Sequence, residues 1–202
     1  MVHLTRIYTK FGDQGECMLG DGTVVPKTSI RVGAYGAVDE ANAALGVAII
    51  ECPPDGAGAA IRAVLLSVQQ DLFDVGADLC TPIAPDETPG KRLRVIPEQT
   101  TRIEGVIDQF NAPLPSLQSF VLPGGTRLAA ALHLARATVR RAERDAAALI
   151  EAEPAATNRH AVVYLNRVSD LLFVLSRSAN AAPGGGGDVL WVPGANRAAG
   201  PG

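Results

Sequence analysis

No run of about 18 uncharged apolar residues occurs in this chain, so nothing in it is expected to span a membrane. The opening stretch, MVHLTRIYTKFGDQGE, lacks the apolar segment of a secretory signal. Cysteine is scarce: Cys17, Cys52 and Cys80 form no pair at metal spacing, so a reducing, cytoplasmic setting without a disulfide framework is expected. Charge of one sign is lacking too. The 18 basic and 21 acidic side chains leave a net charge of -3, against the strongly basic footprint of a nucleic-acid binder. His3, His133 and His160 are scattered without zinc spacing, and no Glu-x-x-His is available for a di-iron centre. A Gly-x-Ser-x-Gly elbow is missing, as are repeats of about 20–50 residues.

What is present excludes disorder. The chain is 47% hydrophobic, and its mean hydropathy is +0.15. Its 202 residues suffice for a sizeable core in one domain. Only Lys10, Lys27 and Lys91 among the basic residues are lysine. A GC-rich coding bias, consistent with the alanine and glycine load, would produce this. So would a need for bidentate arginine contacts to anions. Position has to decide between the two.

Gly-Pro punctuation divides an alanine-rich middle into helices. The first spans about 29–51 and stops at Pro53-Pro54. The second, about 59–80, carries Ile61, Leu65, Val68, Leu72, Val75 and Leu79 at alternating spacings of four and three. A third begins near Pro97, where proline suits a first turn. A fourth begins after Gly124-Gly125, with Thr126 as N-cap, and runs to about 153. A fifth spans about 158–182, with Leu165, Val168, Leu172, Leu175 and Ala179 on one face. Strand signals are limited to 4–9 and 18–25, and no βαβ alternation appears. The expected fold is all-α: a single up-and-down five-helix bundle over 1–182, with an extended Gly-rich N-terminal segment over 1–28. The Gly/Pro-rich residues 183–202 are expected to form a mobile tail, although Trp191 offers a docking handle.

Some residues break the bundle pattern, and such breaks are where function can sit. Asp39 shares a face with Tyr35, Asn42 and Gly46 beside the Val38–Leu45–Ile49 stripe, so it is expected near an apolar seam. Arg136, Arg140 and Arg144 recur every four residues along the fourth helix, with Arg141 and Glu143 among them. Like charges at that spacing repel. Either the row is solvated, or an anion lies against it, since guanidinium forks match phosphate oxygens. On the fifth helix, Asn166 and Asp170 flank the apolar stripe, as a polar boundary or as hydrogen-bonding groups at a cleft. In the N-terminal segment, glycines beside Lys10 and Lys27 would suit phosphate, or a surface loop. Lys27-Thr28 is no P-loop end, because Pro26 precedes the lysine.

Four blocks together resemble one family. They are YTKFGDQG (8–15), RVGAYGAVDEANAALG (31–46), FVLPGGTRLAAALHLARATVRRAER (120–144) and YLNRVSD (164–170). In order and spacing they are similar to the PduO-type ATP:cob(I)alamin adenosyltransferases over about residues 4–182. The resemblance implies a homotrimer of five-helix bundles with sites between subunits. It implies transfer of the 5′-deoxyadenosyl group of ATP to the cobalt of cob(I)alamin, giving adenosylcobalamin and triphosphate. Thr9, Lys10, Phe11 and Gly12 are then expected to wrap ATP, with Lys27 on the phosphates. Arg140, Arg141, Glu143, Arg144 and Asn166 correspond to ATP-site positions, and Arg136 lies one turn earlier. Asp39 corresponds to a carboxylate that pairs with an arginine of the neighbouring subunit, here Arg140. Phe120 corresponds to the aromatic that blocks the lower face of cobalt. Mg²⁺ would arrive on the ATP phosphates, without an assigned protein ligand. A reductase supplying Co(I) and an adenosylcobalamin-dependent mutase taking the product are the implied partners.

The sequence departs from the family where Phe11 replaces a threonine and where Glu16, Cys17 and Met18 replace hydroxyl residues. Glu16 would bring negative charge towards phosphate. Those changes motivate an alternative, a non-catalytic adenosylcobalamin carrier on the same fold. A ligand-free helical scaffold is the third reading.

Overall fold

A computed structural model describes Tyr8 and residues 10–197. Five helices form: α1 (Ile30–Ile50), α2 (Gly56–Cys80), α3 (Pro97–Asn111), α4 (Arg127–Ala152) and α5 (Arg159–Ala181). Their ends follow local chemistry. The side chains of Ser29, Thr126 and Asn158 each accept a backbone N–H of the following first turn, capping α1, α4 and α5. Pro97 opens α3. The second extended stretch becomes a small antiparallel hairpin, β1 (Glu16–Met18) and β2 (Val24–Pro26), with Cys17 opposite Val25. The other stretch lies, except for Tyr8, outside the described residues.

The expected apolar stripes of α2 and α5 are buried, and they meet Ala34, Ala41 and Leu45 of α1 and Leu132, Val139 and Leu149 of α4 in one core. Alanine on α1 and α4 permits close approach of these two helices, which run antiparallel. Three pairs fix their register: Arg31 with Glu153, Glu40 with Arg141 and Glu51 with Arg127.

Arg31 joins the ends. It is 1% exposed. Its guanidinium donates to Glu153 Oε2 at 2.6 and 3.1 Å, to the Leu79 carbonyl at 2.6 Å, and to Ala156 O and Thr157 Oγ1 at 3.1 Å. One side chain thus ties the start of α1 to the end of α2 and to the α4–α5 turn. The hairpin sits at this same end, where Gly20 N–H donates to the Cys80 carbonyl at 3.0 Å.

Residues 183–197 make specific contacts where a mobile tail was expected. Val121 and Leu190 form an antiparallel bridge, and Leu122 N–H donates to Val189 O at 2.7 Å. These partners lie far apart in sequence, and no local pattern announces them.

Candidate functional site

Three groups of candidate residues lie along the bundle. At the hairpin end, Lys10 takes a left-handed conformation, φ 63°, as N-cap of a short 3-10 turn over Phe11–Gln14. A non-glycine residue there is strained by roughly 1–3 kcal/mol. The turn brings Gly12 to the lysine: a Cβ at Gly12 would lie 2.9 Å from Lys27 Nζ. Lys27 N–H donates to Gly15 O at 2.8 Å. Lys10, Phe11 and Gly12 thus share one turn, with Lys27 against it. Thr9 lies outside the described residues. Glu16 and Met18 are exposed on β1, whereas Cys17 turns inward, its Sγ 3.1 Å from Tyr35 Oη. Burial, followed by that contact, pushes the Tyr35 hydroxyl pKa up.

The second group runs along α4. Arg140, Arg141 and Arg144 are exposed and Arg136 is half-buried. Arg144 Nη1 donates to the Arg140 carbonyl at 2.9 Å, Arg141 pairs with Glu40, and Glu143 accepts from Asn166 Nδ2 at 2.8 Å. Arg140 has no ion-pair partner among the described residues. Asn166 is thus joined to the arginine row, while Asp170 faces solvent and pairs with Arg167 at 2.7 Å. Asp39 lies beside an apolar seam but is exposed to water, at the edge of an apolar hollow of about 400 Å³ lined by Tyr35, Val38, Leu72 and Phe73. The α1–α4 register sets Asp39 level with Arg140, but the two are not paired within the chain among the described residues.

The third group surrounds Phe120, in the loop before α4. Gly125 shapes that loop: its φ is 97°, and a Cβ there would lie 2.2 Å from Asn180 Oδ1. Asn180 accepts from Thr126 N–H at 2.9 Å and donates to Gly124 O at 3.2 Å, fixing the loop to α5. Phe120 itself is 77% exposed. It lines a hollow of about 530 Å³ with Leu117, Val121, Arg136 and Phe173, and its ring centroid is 5.9 Å from that of Trp191. Arg136 lies 6.0 Å over the Phe173 ring, and its Nε is buried without a hydrogen-bond partner among the described residues. Burial first, then repulsion from Arg140, lowers the Arg136 pKa. His133 is buried, and both its ring nitrogens lack a hydrogen-bond partner among the described residues. Burial, then Arg136, holds it below 6.5, and Asp188 pulls it the other way.

The sequence offered Trp191 as a docking handle without saying where it docks, and it gave no role to Phe173, Asn180 or Asp188. Only the Asn180 spacing to the Gly-Gly turn could have hinted at this, and that distance is non-local.

An apolar hollow flanked by an underused guanidinium, on the helix that carries a cationic row, suits a large flat apolar ligand beside a polyanion. The comparisons agree with this chemistry. A family model described as cobalamin adenosyltransferase matches residues 7–179. A corrinoid adenosyltransferase of Mycobacterium bovis is 52% identical over 200 residues, 98% of each chain. One of Bacillus subtilis is 38% identical over 179 residues, 89% of each chain. A phenylalanine-to-histidine variant of a PduO-type ATP:corrinoid adenosyltransferase from Lactobacillus reuteri, complexed with cobalamin and ATP, superposes with a TM-score of 0.82 at 36% identity, over 93% of this chain and 97% of that one. The chain belongs to the cobalamin adenosyltransferase family.

Proposed function

We propose that this corrinoid adenosyltransferase works at a site assembled from the three groups above, with halves from neighbouring subunits of a trimer. MgATP is held by Thr9, Lys10, Phe11, Gly12 and Lys27 of one subunit. Arg136, Arg140, Arg141, Glu143, Arg144 and Asn166 of the next complete its site. Asp39 reaches across the interface to Arg140. Phe120 lies beneath the corrin ring.

Cob(I)alamin is a strong nucleophile, so the protein needs no general base. Cobalt attacks C5′ of ATP, the Co–C bond forms as the C5′–O bond breaks, and triphosphate leaves with the bonding pair. Cationic side chains stabilise the charge that develops on that leaving group. Positioning sets cobalt and C5′ in line. Phe120 keeps water and the nucleotide base from the lower axial position, which makes Co(II) easier to reduce.

Among the described residues no cluster of three His, Cys, Asp or Glu side chains is gathered for a metal. Mg²⁺ rides on the phosphates as part of the substrate, as this ion commonly does. Exposed apolar side chains support the trimer. Val47, Ile50 and Phe73 lie on the α1–α2 side and Leu134 on α4. Two different surfaces make a heterologous contact, which closes into a ring. Among the described residues no helix is long and apolar enough to cross a membrane. We place the activity in the cytoplasm, fed by a reductase and drained by an adenosylcobalamin-dependent mutase.

The observation that carries this reading is the Phe120 hollow beside Arg136. Its test is anaerobic incubation with chemically reduced cob(I)alamin and MgATP. Adenosylcobalamin and triphosphate in equal amounts are expected. Saturable adenosylcobalamin binding without turnover would instead make the protein a carrier.

A further inference from the structure

The ion pair between Arg177 and Asp188 lies outside every site residue assigned above, and we propose that it positions Phe120 for adenosylation. The inference rests on the placement of Phe120 beneath the corrin. Phe120 cannot hold itself there, because its side chain is largely exposed and its loop belongs to no helix. Its backbone is held by one strip of chain. Trp191 N–H donates to Phe120 O at 2.7 Å, Leu122 N–H donates to Val189 O at 2.7 Å, and Ser119 Oγ donates to Trp191 O at 2.7 Å.

The strip is costly to order. It follows Gly184–Gly187, a glycine run with high chain entropy. Asp188 is the tether: its Oδ2 accepts from Arg177 Nε at 2.8 Å, with the two side chains 6% and 15% exposed. Arg177 also donates through Nη2 to Pro115 O at 2.7 Å. One guanidinium therefore grips the chain before Phe120 and the chain that covers it. Among the described residues Asp188 Oδ1 is buried without a partner, so no second contact there replaces a lost pair. Removing one charge leaves the other buried and uncompensated.

Trp191 is the single tryptophan of the chain, so its fluorescence reports docking of the strip directly. The test compares full-length wild type with Asp188→Asn and Asp188→Glu. In Asp188→Asn, Trp191 emission should shift to the red and become more open to acrylamide. The kcat/KM for cob(I)alamin should fall by about tenfold or more, a size typical of misplaced catalytic groups. The KM for ATP should stay at its wild-type value. With cob(II)alamin and MgATP, the four-coordinate Co(II) signal in magnetic circular dichroism should shrink. Asp188→Glu should restore part of each. Wild-type fluorescence and cobalt spectra in Asp188→Asn would overturn the inference. So would an equal loss for both substrates with a lowered melting point, which marks a merely structural pair. A wild type that does not adenosylate cobalamin would overturn the function on which the inference rests. A wild type that turns over beside an indifferent Asp188→Asn variant would overturn this inference alone.

Discussion

Arg31 and Arg140 carry the same charge and have opposite roles. Arg31 is buried and gives its donors to three backbone or hydroxyl oxygens and one carboxylate. Arg31→Met should cost about 3–5 kcal/mol, because it leaves Glu153 and buried carbonyls without their donor. Chemical denaturation measures this. Arg140 is exposed and unpaired among the described residues, so Arg140→Ala should change stability by less than about 0.5 kcal/mol. Its kcat/KM for ATP should nevertheless fall by about 10²–10³, the size of one lost transition-state contact. His133 gives a pH test. The unfolded chain binds its proton near 6.5, while burial lowers the folded value. The unfolded state therefore holds more protons just below 6.5, and stability falls as the pH drops through that window. The unfolding midpoint should decline between about pH 7 and pH 5, and His133→Leu should flatten that decline. Sequence alone does not separate Arg31 from Arg140, because burial depends on which helix ends meet.

The helices were legible because their information is local. Apolar spacing, proline at the start of α3 and Thr126 as the cap of α4 placed the five helices within a few residues of their observed bounds. The loops were not. Docking of 188–191 on 119–122 depends on pairing across about 70 positions, and a glycine-rich segment reads as mobile until its anchors are seen. Gly125 belongs to this scale. Gly125→Ala should destabilise the protein by about 1–3 kcal/mol, from a left-handed backbone and a clash with Asn180. It should also raise the KM for cob(I)alamin more than that for ATP. An Ala variant with unchanged melting and kinetics would show that the loop is not held as described.

At the scale of the whole chain, the two groups of residues proposed to bind phosphate lie apart. Lys27 and Gly12 sit with the hairpin at the end where α1 starts, whereas Arg136–Arg144 lie along the middle of α4. The resemblance in sequence named both groups, and the single chain does not bring them together. On the proposed function, the neighbouring subunit joins them. In that proposal Asp39, which is exposed on α1, makes the junction with Arg140 of the next subunit. The most direct test is subunit complementation. Lys27→Ala and Arg140→Ala are each expected to be nearly inactive, and are co-expressed in equal amounts. If each site takes its hairpin from one subunit and its α4 from the next, random assembly leaves about one quarter of sites intact. Adenosylation at about that fraction of the wild-type rate is the predicted result. Mixed oligomers no more active than either variant alone would contradict a site shared between subunits.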